Sequence, residues 1–181
     1  MKTITEHLTT YATYHRDRRN IATHFFGIPT IFVASVSLLS RPVLGEVFGV
    51  TVSPATVVGS AVIAFYLALE RRLGGLMGVL TIVAMWGGSR LATLGLGAWL
   101  ATSLGLFVFG WIVQFIGHAF EGKKPAFADD LIGLLIGPLF VVSEVVFALG
   151  LRHDLRDAIE KVAGPTRSGR VVSPTSPRSW S

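Results

Sequence analysis

Cysteine is absent from this chain, and charge is scarce: Asp, Glu, Lys and Arg together make up only 15% of its 181 residues. The first absence excludes a disulfide scaffold, a thiolate zinc site, a Cys-ligated iron–sulfur cluster and a Cys nucleophile. The second falls well short of the roughly 25% charged residues of a soluble domain. With 51% apolar residues and a mean hydropathy of +0.59, the chain is neither an ordinary soluble globule nor a disordered polymer. The net charge of +5 does not point to nucleic acid, because of where it lies. Residues 25–150 carry six basic residues (Arg41, Arg71, Arg72, Arg90, Lys123, Lys124) against six acidic ones (Glu46, Glu70, Glu121, Asp129, Asp130, Glu144). The excess sits in the two ends. A neutral, apolar middle with basic flanks describes a membrane protein that takes no nucleic acid as partner.

What is present is a series of uncharged runs at 25–40, 47–69, 73–89 and 91–120, then 131–143 and 145–151 around Glu144. A helix that crosses a bilayer needs roughly 17–25 mostly apolar residues, so the first four runs are expected to be spans. The polar first 24 residues lack the apolar core of a cleavable signal peptide and are read as mature protein. Arg16, Arg18 and Arg19 precede the first span, and Arg152, Arg156 and Lys161 follow the last apolar stretch. Lys/Arg excess marks cytoplasmic flanks, which puts both termini on that side and requires an even number of crossings. The expected fold is therefore all-α: an integral-membrane helical bundle of about four transmembrane helices. Residues 131–151 then form a re-entrant or interfacial hairpin, broken near Gly137-Pro138 because proline interrupts helices. A short helix over 3–15 precedes the bundle, and Leu151, Leu155, Ile159 and Val162 give 151–163 the pattern of a surface helix. Residues 1–163 read as one membrane-embedded domain. The Ser/Pro-rich basic tail 164–181 reads as disordered.

All five histidines (His7, His15, His24, His118, His153) fall on the cytoplasmic side of this topology. His24 opens the first span and His118 closes the fourth, which places them at similar depth. Ionisable residues at span edges are costly and mark function by default. Asn20 lies one helical turn before His24, and Gln114 one turn before His118. Nine residues separate His15 from His24, which on a straight helix puts them on opposite faces. They share an ion only if the chain bends between them, and Asp17 is a plausible cap for a new helix beginning at Arg18. Glu121 reads as a metal ligand, as a supporting acceptor or as a solvated loop cap. Imidazoles without thiolates suit iron, zinc, copper or nickel.

The pattern Tyr14-His15…Asn20…His24-x-x-Gly27-x-Pro29, followed by Gln114-Phe115-x-Gly117-His118…Glu121…Pro125-Ala126, resembles the 2-hydroxy fatty acid dioxygenase family of α-oxidation. The similarity runs from about Thr10 to Leu151 and takes in Asp129, Asp130 and Glu144. Arg16 departs from it, standing where fungal members can have a second His after His15. The resemblance implies an Fe(2+)-dependent oxidoreductase that cleaves a 2-hydroxy fatty acid with O2 to a chain one carbon shorter. It also implies a bacterial inner-membrane location, or the endoplasmic reticulum in a eukaryote. His15, His24 and His118 would then be the catalytic, metal-binding residues. Tyr14, Asn20, Gln114 and Glu121 are candidates to support them or contact substrate. Apart from the resemblance, Arg16, Arg19 or Lys123 offers either a partner for the substrate carboxylate or an anchor of the cytoplasmic flank to lipid phosphate. The alternatives are a b-type haem protein with axial histidines, or a non-catalytic membrane scaffold or transporter.

Overall fold

A computed structural model describes residues 2–123, 125 and 130–168. Lys124, Ala126, Asp129 and the tail from residue 169 lie outside the described residues. Helix α1 (Ile4–Ala12) opens on a reciprocal capping box between Thr3 and Glu6. It stops short of the expected 3–15, and a tight turn over Thr13–Arg16 leads to Asp17. There the Asp17 carboxylate accepts the Arg19 N–H at 2.9 Å and starts α2 (Arg18–Ser40). The bend read from Asp17 is present, and it separates His15 from the helix that carries His24.

Among the described residues, α2, α4 (Arg71–Ala92) and α5 (Leu96–Glu121) are long and apolar enough to cross a membrane. Helix α3 (Pro54–Leu69) has 16 residues, or about 24 Å at the helical rise, against a hydrocarbon thickness of about 30 Å. The expected span over 47–69 is thus too long. Its first residues form an antiparallel hairpin, β1 (Gly45–Val47) and β2 (Val50–Val52), which pairs Gly45 with Val52. Phe48 and Gly49 at the tip both have positive φ (50° and 76°), as a two-residue hairpin turn requires. Ser53 then caps α3, with Pro54 at its first position.

Residues 131–151 differ from expectation in where they break. Helix α6 (Gly133–Ala148) runs unbroken through Gly137-Pro138. Pro138 takes away the N–H that the Leu134 carbonyl would accept, and one residue on, Tyr66 Oη from α3 donates to the Leu135 carbonyl at 2.7 Å. Gly137 leaves room for the Tyr11 hydroxyl. The chain breaks instead after Ala148. Gly150 (φ 73°) and Arg152 (φ 56°) adopt left-handed backbone, and α7 (His153–Ala163) leaves at 116° to α6.

Helix α2 packs most extensively on α5, then on α4. Helix α1 lies against α6 and α7, with Leu8, Tyr11, Ala12, Phe140, Leu155 and Ile159 in one buried cluster with Tyr66. The α2 N-terminus, the α3–α4 corner, the α5 C-terminus and α1, α6 and α7 therefore gather at one end of the bundle. The hairpin and the Arg41 guanidinium, which donates to the Leu94 carbonyl at 3.0 Å, mark the other end.

Glu70 holds the corner at the site end. It caps α4 by accepting the Leu73 and Arg72 N–H groups at 2.7 and 3.0 Å, and Arg152 lies 3.4 Å away. Burial alone would raise its pKa, but the two N–H donors and Arg152 outweigh it and leave the carboxyl below its ordinary value. Its stabilisation is therefore full above the ordinary carboxylate range and fades as pH falls through the depressed pKa. Glu70→Ala is expected to cost about 1 kcal/mol at neutral pH. In thermal unfolding in detergent, the gap to the wild type should narrow as the pH drops below about 4.

Candidate metal centre

His15 sits on the turn after α1, His24 on the second turn of α2 and His118 on the last turn of α5. All three are buried, and their candidate ligand atoms lie within 4.8 Å of one another. His15 Nδ1 donates to the Tyr11 carbonyl at 2.8 Å, and His24 Nδ1 to the Asn20 carbonyl at 2.8 Å. A carbonyl oxygen only accepts, so both Nδ1 atoms carry protons and both neutral rings present Nε2 lone pairs. Those two Nε2 atoms face each other at 3.0 Å. Two lone pairs in contact repel unless a proton or a cation lies between them. Burial first, then the neighbouring imidazoles, hold His15 well below its ordinary pKa, which disfavours the proton. A metal ion held by both Nε2 atoms would resolve the repulsion. The third imidazole completes the set: among the described residues, His118 Nδ1 is buried without a hydrogen-bond partner. The donor set fits a borderline transition metal such as iron.

Other interactions fix the rings. Tyr11 stacks on His15 with centroids 4.1 Å apart and planes within 3°, and Phe140 closes over both at 5.1 and 5.7 Å. Glu121, with a fully buried side chain, accepts the backbone N–H groups of Arg16 and Asp17 at 3.0 and 2.8 Å and Asn20 Nδ2 at 3.2 Å. It is neither a solvated cap nor one of the clustered ligands. It pins the bend to the end of α5, and thereby pins His15 near His118. Asn20 acts twice, through its amide on Glu121 and through its carbonyl on His24.

An apolar cavity of about 410 Å³ opens from His24 and His118. Tyr11, Gln114 and Ser35 are further polar residues in a wall otherwise built by side chains such as Ile28, Phe32, Val62 and Trp111. Gln114 lines the cavity, and its Oε1 is buried with no hydrogen-bond partner among the described residues. Tyr14 lies outside it, in a small cleft with Lys2, His7 and Asp130. Arg16, Arg19 and Lys123 do not line the cavity. Arg16 turns toward Gly164 and Glu144, Arg19 pairs with Asp17 and covers Phe120, and Lys123 donates to the Thr13 carbonyl. The expected pairing with the substrate carboxylate has no support in these positions. A haem with axial histidines also finds no room: the His24 and His118 rings meet edge to face with centroids 5.0 Å apart.

Two contributors escape the sequence reading. Tyr11 lies one helical turn before His15, and nothing else in the sequence marks it. Arg167 carries no signal, yet its guanidinium lies 2.9 Å from Glu121.

Residues 1–149 match the protein family described as 2-hydroxy-palmitic acid dioxygenase Mpo1-like. The chain is 31% identical over 154 residues to the 2-hydroxy-palmitic acid dioxygenase MPO1 of Saccharomyces cerevisiae, an alignment that covers 83% of each protein. No solved structure matches it. On the family match, the chain belongs to the Mpo1-like 2-hydroxy-palmitic acid dioxygenase family.

Proposed function

We propose that this protein is an Fe(II)-dependent dioxygenase that cleaves membrane-borne 2-hydroxy fatty acids with O2 to chains one carbon shorter. The observation that carries the reading is a buried cluster of three imidazoles at the head of an apolar cavity. His15, His24 and His118 hold the iron as three neutral donors. Bound there, a ferrous ion supplies electrons to O2 and a Lewis acid for the 2-hydroxyl and carboxylate oxygens.

The chain's own residues orient the substrate. Gln114 and Tyr11 are the polar residues of the wall that receive its head, and both are neutral, so hydrogen bonds rather than an Arg or Lys pair define that end. The acyl chain lies along the cavity between α2 and α5. From His24 to Ser35 on one wall, and from His118 to Phe107 on the other, is eleven residues, or about 16 Å at the helical rise. An extended chain of about thirteen methylenes has that length. The apolar walls exclude water from the reacting end, and the site end faces the cytoplasm, where the Lys/Arg-rich flanks belong.

The test is aerobic incubation of the purified, Fe(II)-loaded protein with 2-hydroxypalmitate and identification of the product. A product one carbon shorter supports the reading, and unchanged substrate refutes it. A second expectation concerns the far end of the cavity. Ser35→Trp fills it, and the ratio of kcat/KM for 2-hydroxypalmitate to that for 2-hydroxylaurate should fall at least about tenfold. An unchanged ratio would place the acyl chain elsewhere.

A further inference from the structure

The family match ends at residue 149, but the structure that holds His15 does not. The segment after α7 returns across the bend between α1 and α2. Arg167 pairs with Asp17 as a parallel bridge: its N–H donates to the Arg16 carbonyl at 2.8 Å, and its carbonyl accepts the Arg18 N–H at 2.9 Å. Its guanidinium donates to Glu121 Oε1 at 2.9 Å, while Glu121 Oε2 accepts the Arg16 and Asp17 N–H groups. Arg16 is gripped from the same side, donating through Nη1 to the Gly164 carbonyl at 2.9 Å and through Nε to the Ala12 and His15 carbonyls.

Both backbone groups of Arg16, the residue next to His15, are thus occupied: the N–H by Glu121, the carbonyl by Arg167. The carboxylate of Glu121 is buried, and among the described side chains that hydrogen-bond it Arg167 is the one cation, with the Arg16 charge acting on it without a direct side-chain bond. A buried anion stripped of its direct cationic partner is costly and draws in water, which loosens the two N–H bonds that set the bend.

We propose that residues 164–167 form a strap that fixes the bend at Arg16–Asp17, and that Arg167 is a positioning residue for the metal centre through Glu121. The proposal rests on reading the three histidines as a metal site. Arg167 touches none of them, and its effect is on where His15 stands.

The experiment uses the full chain in detergent, titrated anaerobically with Co(II) and followed by visible absorption, with thermal unfolding of the metal-free protein in parallel. Arg167→Ala should weaken Co(II) affinity about 10- to 100-fold, the range for residues that orient a metal ligand, and shift the absorption band. Arg167→Lys, which keeps the charge, should recover part of the affinity. Combined with Glu121→Gln, Arg167→Ala should add little further loss, since both act through one contact. Arg156→Ala removes an exposed pair with Glu160 on α7 and should leave affinity and band unchanged. Wild-type affinity and spectrum in both Arg167 variants would overturn the strap while the metal reading stands. A wild-type protein that binds no Co(II), or a His118→Ala variant that binds it equally well, would overturn both.

Discussion

His118→Ala is expected to lower turnover of a 2-hydroxy fatty acid by more than about 100-fold, because residues that merely orient a metal ligand already account for losses of 10- to 100-fold. It should do so without unfolding the protein. Removing His15 or His24 takes an imidazole N–H from the Tyr11 or Asn20 carbonyl, leaving the first to the Tyr14 N–H and the second to the Thr23 hydroxyl. His118 is different: its buried Nδ1 has no partner among the described residues, so its removal leaves no orphaned acceptor on that account. Metal content and turnover should fall together while the unfolding temperature stays within a few degrees of the wild type. Wild-type turnover in His118→Ala would remove this histidine from the site.

Gly117→Val should come next in size, although Gly117 carries no chemistry. A Cβ there would collide with Thr23 Oγ1 and stand 2.6 Å from Asn20 Oδ1. Neither neighbour yields easily: the Thr23 hydroxyl donates to the Asn20 carbonyl at 2.7 Å, and Asn20 Nδ2 donates to Glu121. The added bulk must push α2 from α5 next to both His24 and His118. Such overpacking costs about 1–3 kcal/mol. A shift of about 1 Å at the reacting groups reduces turnover by about 100-fold. Thermal unfolding and kcat measured on the same preparation check both. Turnover within threefold of the wild type would show that the spacing of α2 and α5 does not set the site.

The legible parts of this protein are those whose cause is local. Asp17 announces a helix start because its carboxylate serves an N–H two residues on, and that bend is what lets His15 and His24 meet. The span ends at His24 and His118 follow from where apolar runs stop. Contacts that join distant segments left weaker traces. Glu121 reaches residues 104 and 105 positions away, and nothing beside it in the sequence distinguishes that role from a solvated cap. Pro138 suggests a break, but α6 runs through it, tied to α3 by Tyr66, far away in sequence. Most of the hairpin over Gly45–Val52 falls inside the apolar run that begins at residue 47, and composition alone cannot separate a short strand pair from the start of a helix. Arg167 was hidden in a segment whose Ser, Pro and Arg content described only its solubility.

The most direct test of the account is turnover of 2-hydroxypalmitate with O2 by protein stripped of metal anaerobically and then given Fe(II) in steps. The account predicts no turnover in the stripped protein, recovery that saturates at about one Fe(II) per chain, and no recovery in a variant lacking His15, His24 and His118. Full turnover by the stripped protein, or by that triple variant, would contradict it.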